Sequence, residues 1–304
     1  MQHWLSNTFL PTVIAIVVML VVLWPTRQGG TRLLRNWGVP EPAGQQVAEA
    51  VRYLWQRRRL MVVLFVVVPT LADLVVPALA DGTVIGIFVP LLAAMLIAEL
   101  IATLRPVSGV RFASLGPRRW QDLVPRWGVV AFAVPAVLAV GLSWLAIAGQ
   151  TWADAYAAAL PPNDDQRWIS ADYRAEMTND TGWFTLGSAV LCLVVVATLV
   201  HLAVRRPAVP DAAVDAALRA RTARVAVAVG IGWLGVAANA AAQRIVFLTD
   251  LNVSNGQPLP ERPDWLNPGL GDVMNALMLV VLAAALVCWM WLAVPSRRSL
   301  AHAG

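Results

Sequence analysis

The chain has 304 residues, of which 59% are hydrophobic and 13% charged, with a formal net charge of +5. A soluble chain of this length forms one or two domains and is about a quarter charged, so these proportions exclude burial of the apolar residues in an aqueous core. The basic balance does not indicate nucleic acid, because no basic helix with interleaved aromatics occurs and the charge sorts by membrane side instead.

Seven apolar stretches fall at 8–24, 60–80, 83–104, 128–148, 184–204, 225–247 and 273–294. A helix needs ~20 such residues to cross a hydrocarbon core about 30 Å thick. The expected fold is therefore all-α, a polytopic transmembrane bundle of seven helices in one domain, 1–304. All but four of the 23 basic residues lie at 27–59, 105–126, 205–224 and 297–298, the exceptions being Arg167, Arg174, Arg244 and Arg262. Acidic residues crowd 154–180 and 250–272. Basic loops stay cytoplasmic, which puts the N-terminus outside, the C-terminus inside and two longer loops, 150–182 and 249–271, on the extracytoplasmic side. A lysine-free chain rich in alanine, valine and arginine points to a GC-rich genome and a bacterial plasma (inner) membrane.

The first stretch lacks a positive leader and exceeds a signal-peptide core, so it reads as an uncleaved anchor. The loop after it carries Val39-Pro40-Glu41-Pro42. A helix is expected from about Gln45, with Val47, Val51, Leu54 and Trp55 along one face and Arg57, Arg58 and Arg59 at the lipid boundary. That helix is read as a solvated juxtamembrane element. Unknown protein partners, if any, would be met through the cytoplasmic loops. Asp81-Gly82 makes the next two stretches a tight hairpin. Between 116 and 127, paired Pro-Arg-Trp elements suit a segment lying on the membrane, with indoles at headgroup depth. The loop at 150–182 reads as a short helix over 152–160, a Pro161-Pro162 break and an acidic stretch. Cys192 and Cys288 lie ~12 Å apart in depth on their helices, which speaks for packing rather than a disulfide or metal site. No cofactor or metal is expected.

Laying 48–80 over 214–246 pairs Glu49 with Asp215, Arg58 with Arg224 and Asp73 with Asn239. Parallel repeats 8–104 and 184–294 joined by the helix at 128–148 would explain this, an arrangement found among transporters. The topology resembles that of the seven-helix SWEET sugar transporters, whose Pro-Gln loop signatures are missing here, so the likeness is architectural. Taken whole, the chain resembles uncharacterised multi-pass membrane proteins of actinobacteria, and that resemblance implies no activity.

Polar residues inside apolar stretches normally face protein or water, since a charge at mid-bilayer costs on the order of 2.5–3.5 kcal/mol on insertion scales. Asp73, Asn239, Gln243, Arg244 and Asn275 all fall in the outer halves of their stretches and together define a candidate substrate or ion pocket. The alternative is a buried structural cluster in which Asp73 bonds Asn239 or Arg244. Gly230, Gly232, Gly235 and Ala238 let neighbouring backbones approach, which makes the sixth stretch central. Gly269-Leu270-Gly271-Asp272 spells the GxGD signature of intramembrane aspartyl proteases, with Asp73 as the second carboxylate and Pro77-Ala78-Leu79 as their Pro-Ala-Leu element. That element should follow both aspartates, yet here it lies between them, and Asp272 is expected to cap the last helix. The reading is a non-enzymatic protein that moves a small solute or serves as membrane partner of a transport or envelope system, with the hydrolase as the competing class.

Overall fold

The computed structural model describes residues 26–36, 39, 41–75, 84–104, 119–160, 171–205, 212–252 and 259–293. They form α1 (Arg27–Asn36), α2 (Gly44–Val75), α3 (Val84–Leu104), a 3-10 turn (Trp120–Asp122), α4 (Arg126–Ala159), α5 (Ala171–Met177), α6 (Thr181–Arg205), α7 (Ala212–Asp250) and α8 (Pro268–Ala293).

Seven spanning helices are not what the described residues form. Among the described residues there are eight α-helices, and four of them, α4, α6, α7 and α8, are long and apolar enough to cross a membrane. The stretch at 8–24 lies outside the described residues, as do the Asp81-Gly82 turn and Pro77-Ala78-Leu79. The stretch beginning at Leu60 is the far half of α2, a 32-residue helix with Arg57, Arg58 and Arg59 near its middle. In α3 the apolar segment is Val89–Ile101, ~20 Å long, and it contains the buried Glu99. Both helices thus carry charge where a free-standing span carries none. What stands is an all-α, multi-pass, membrane-embedded bundle.

Helix α7 is its axis. The apolar 18-residue window of α7 is 100% buried, against 33%, 28% and 11% for α4, α6 and α8, and α7 packs on α3, α4, α6 and α8 alike. Its composition explains this. Lipid is as apolar as leucine, so helices associate through close van der Waals packing, which small residues permit. A Cβ built on Gly230 would stand 2.7 Å from the Phe132 ring and 2.8 Å from Val196, and one on Gly235 would stand 2.7 Å from the Cβ of Ala285. The sixth stretch is central, as its glycines imply. The outward faces of the other spans carry the opposite signature: Val137, Leu279 and Val280 are 72%, 75% and 66% exposed. In water so much bare aliphatic surface would aggregate; in a bilayer it is solvated.

The four spans alternate in direction. Helix α4 begins at Arg126 and ends beyond Asp154, α6 returns from Thr181 to Arg205, α7 climbs to Asp250, and α8 descends from Pro268. One end of the bundle is rich in arginine and the other in carboxylates. The helix read over 152–160 is no separate element but the continuation of α4, 34 residues in all. At 1.5 Å per residue α4 is ~51 Å long, so its last turns stand beyond a hydrocarbon core of about 30 Å. There Trp152 donates Nε1–H to the Pro260 carbonyl at 3.3 Å, and α5 packs beside α4.

At the opposite end, Leu34 of α1 and Val39 pack with Ala50 of α2 and with Val214, Ala217 and Leu218 of α7. The first half of α2 therefore contributes to the core rather than standing free in solvent.

Candidate functional site

A cavity of about 740 Å³ lies among α2, α3, α6, α7 and the segment that joins α5 to α6. Its walls are graded. Val68, Pro90, Ala93, Leu191, Ala237 and Ala240 line it with hydrocarbon, whereas Glu176, Asn179, Asp180, Gln243 and Arg244 gather toward the acidic end of the bundle. Aromatic rings of Trp183, Phe184, Trp233 and Phe247 complete it. Trp233 is 3% exposed and donates Nε1–H to Ser188 Oγ at 2.7 Å, which satisfies the indole and fixes its plane against α6.

Arg244 organises the polar wall. It is 3% exposed, and its guanidinium donates through Nη1 to the Glu176 carbonyl at 2.6 Å, through Nη2 to the Met177 carbonyl and Gln150 Oε1, both at 2.7 Å, and through Nε to the same Oε1 at 3.3 Å. Glu176 and Met177 end α5, so their carbonyls lack intrahelical partners, and a cation suits the negative end of a helix. Gln150 spends its amide hydrogens on Asp154 Oδ1 at 2.7 Å and the Met177 carbonyl at 2.9 Å. The guanidinium also stands over the Phe247 ring, 5.0 Å from its centroid. Among the described residues no carboxylate lies within ion-pair distance of Arg244.

The consequence concerns Glu176 and Asp180. Both are exposed, both line the cavity, and neither forms an ion pair among the described residues. Arg244 spends its hydrogen bonds on neutral acceptors and meets the two carboxylates only through space, which leaves their oxygens without an ion-pair partner among the described residues.

Of the residues singled out from the sequence, Gln243 and Arg244 line this cavity. Asn239 is buried in α7 and is not part of the lining, and Asn275 is exposed on α8, which contributes nothing to it. Asp73 falls on α2, with its side chain outside the described residues. Asp272 is exposed on α8 and is not that helix's cap. The cap is Asn267, whose Oδ1 accepts from the Leu270 N–H at 3.0 Å, with Pro268 at the first helical position, where its missing N–H costs nothing. Sequence reasoning missed Glu176, Asp180, Ser188 and Trp233. The acidic segment before α6 was visible, but nothing in it told which carboxylates turn toward α7.

Glu99 forms a second polar centre at the arginine end. It is 1% exposed on α3, with Oε2 2.6 Å from Arg57 Nε of α2 and Oε1 3.8 Å from Arg221 Nη1 of α7. Tyr53 links the two arginine-bearing helices, donating its hydroxyl to Glu99 Oε1 at 3.5 Å and accepting from Arg221 Nη1 at 3.3 Å. The sequence placed Arg57 at the lipid boundary; instead it is buried against Glu99.

No family model, curated protein or solved structure matches this chain.

Proposed function

We propose that this is a non-enzymatic protein of the bacterial plasma membrane that carries a small amphipathic organic cation in the cavity beside Arg244. The observation that supports the reading is the graded lining: hydrocarbon and aromatic walls on α3, α6 and α7, closed at the acidic end by Glu176 and Asp180. A volume of about 740 Å³ falls within the ~300–1,000 Å³ of small-molecule sites, which are mostly apolar with a few placed polar groups. A cation is favoured because, among the described residues, Glu176 and Asp180 form no ion pair, while the Arg244 guanidinium is committed to carbonyls and an amide. The indole and phenyl faces add cation–π attraction of ~0.5–2 kcal/mol for a desolvated organic cation.

The test uses two ions of the same shape and opposite charge. Purified full-length protein is titrated with tetraphenylphosphonium or tetraphenylborate while tryptophan fluorescence is followed, with Trp233→Phe to identify the reporting indole. The phosphonium should give saturable quenching that weakens about tenfold, or ~1.4 kcal/mol, when Asp180→Asn and Glu176→Gln are combined. Equal or tighter binding of the borate would overturn the reading.

A further inference from the structure

Among the described residues, the arginine end holds more buried positive charge than the carboxylate at its centre neutralises. Glu99 faces two guanidiniums, those of Arg57 and Arg221, whose residues are 7% and 11% exposed as side chains. Arg58 adds a third. Its Nη1 is buried without a hydrogen-bond partner, and both burial and the neighbouring Arg57 disfavour its charge. The Arg57–Glu99 contact is close yet off-axis for a hydrogen bond, so Arg57 Nε and Glu99 Oε2 each keep an unfilled hydrogen-bonding direction. Two guanidiniums against Glu99 leave a local excess of one positive charge, to which Arg58 beside Arg57 adds. Buried charge of this kind is expensive unless paired and hydrogen-bonded.

What would pair it must be anionic and rich in acceptor oxygens, because the donors come from separate side chains. Phosphate fits: guanidinium forks match its oxygens, and charge-assisted bonds are about twice as strong as neutral ones. The surroundings place such a group at a membrane boundary. Arg59 stacks on Trp55, its guanidinium carbon 3.3 Å from the ring centroid, and an indole carrying a cation is typical of headgroup depth. Basic pockets between helices on the cytoplasmic side are where anionic headgroups lodge.

We infer that Arg57 and Arg221, which meet at Glu99 between α2, α3 and α7, form together with the adjacent Arg58 a binding site for a phosphate-bearing anion. The site is independent of the cavity beside Arg244 and lies at the opposite end of the bundle. Arg57 and Arg221 also hold the helices together through Glu99, whereas Arg58 forms no ion pair among the described residues. Arg58→Gln is therefore the informative variant, and Arg119→Gln, an exposed arginine at the same end, is its control.

Native mass spectrometry of the full-length protein in detergent should show phosphatidylglycerol bound about tenfold more tightly than phosphatidylcholine of the same chains. Arg58→Gln should lower the phosphatidylglycerol affinity about fivefold and leave phosphatidylcholine unchanged, while Arg119→Gln does neither. Millimolar inorganic phosphate separates the two sources. If it displaces phosphatidylglycerol and raises the unfolding midpoint relative to chloride at equal ionic strength, the site takes free phosphate. If it does neither while the lipid preference persists, the site takes the headgroup. The inference is overturned if phosphatidylglycerol binds no better than phosphatidylcholine and phosphate has no effect, or if Arg58→Gln and Arg119→Gln change the affinity equally.

Discussion

Arg57 Nε lies 2.6 Å from Glu99 Oε2, with the two side chains 7% and 1% exposed. This contact joins α2 to α3 inside the protein, and Arg221 brings α7 to the same carboxylate. Removing one partner of a buried pair leaves the other charge uncompensated, at a cost of about 3–5 kcal/mol. Glu99→Gln leaves two guanidiniums facing an amide and should lower the thermal unfolding midpoint of the detergent-purified protein. Adding Arg57→Gln should restore part of that loss, since one uncompensated charge goes with it. A double variant less stable than Glu99→Gln alone would contradict a net excess of positive charge at this centre.

Helix α7 can be tested through its glycines. At Gly235 an added methyl meets the Ala285 Cβ at 2.7 Å, an atom that cannot rotate away, so α7 and α8 must separate. Gly235→Ala is expected to destabilise by about 1–3 kcal/mol, as overpacking does. At Gly141 on α4 nothing lies within 4 Å, and Gly141→Ala should stabilise by up to ~1 kcal/mol through helix propensity. Thermal unfolding of the two variants side by side reads the difference. Equal effects would mean that α8 does not pack on α7 as described.

These two tests mark what the sequence makes legible. The central place of α7 follows from its own glycines and alanines, because small residues act through their size alone. The partition of charge between the two ends of the bundle is likewise local. The pairings are not. Arg57, Arg58 and Arg59 read as one boundary run, since composition cannot say that Glu99 of another helix takes Arg57 inward. Gln150 looked like the start of a loop, yet α4 continues unbroken through it, which brings it to Arg244. Gln243 and Arg244 were found because they are polar in an apolar stretch. Glu176 and Asp180 were not, because a carboxylate in a loop is unremarkable until the fold turns it toward a cavity.

Sidedness gives a third test. Arg119 precedes α4 and Arg126 opens it at the arginine end, and Glu261 precedes α8 at the acidic end. Basic segments are retained in the cytoplasm. A single cysteine replacing exposed Glu261 should react with a membrane-impermeant maleimide on intact cells. One replacing Arg119 should react only after permeabilisation. The converse pattern would invert the bundle, and labelling of both on intact cells would put its two ends on one side.

The start of α8 discriminates capping from catalysis. Asn267 Oδ1 accepts the Leu270 N–H at 3.0 Å, so Asn267→Ala should cost ~1 kcal/mol, the usual value of a lost cap. Asp272 is exposed, and Asp272→Asn should leave the midpoint within about 0.5 kcal/mol of the parent, as surface changes generally do. If Asp272→Asn destabilised more than Asn267→Ala, the cap would have been assigned to the wrong residue.

Arg244 unites the fold and the cavity, and its variants separate charge from shape. The guanidinium reaches the Glu176 and Met177 carbonyls and Gln150 Oε1 together, which a planar fork can do and an ammonium cannot. Arg244→Lys keeps the charge and loses part of the fork; Arg244→Met keeps much of the length and loses both. Each unpaired acceptor left behind costs ~1–3 kcal/mol. Both variants should be destabilised, Met more than Lys. The damage should be local, because α5 and the segment to α6 are held by few other contacts, whereas α7 is packed on every side. Hydrogen exchange should therefore quicken about tenfold at amides 171–180, while the middle of α7 stays protected. Because Glu176 and Asp180 ride on that segment, tetraphenylphosphonium binding should weaken in parallel with the lost protection. Unchanged protection at 171–180 in Arg244→Met would show that Arg244 does not hold the acidic wall of the cavity in place.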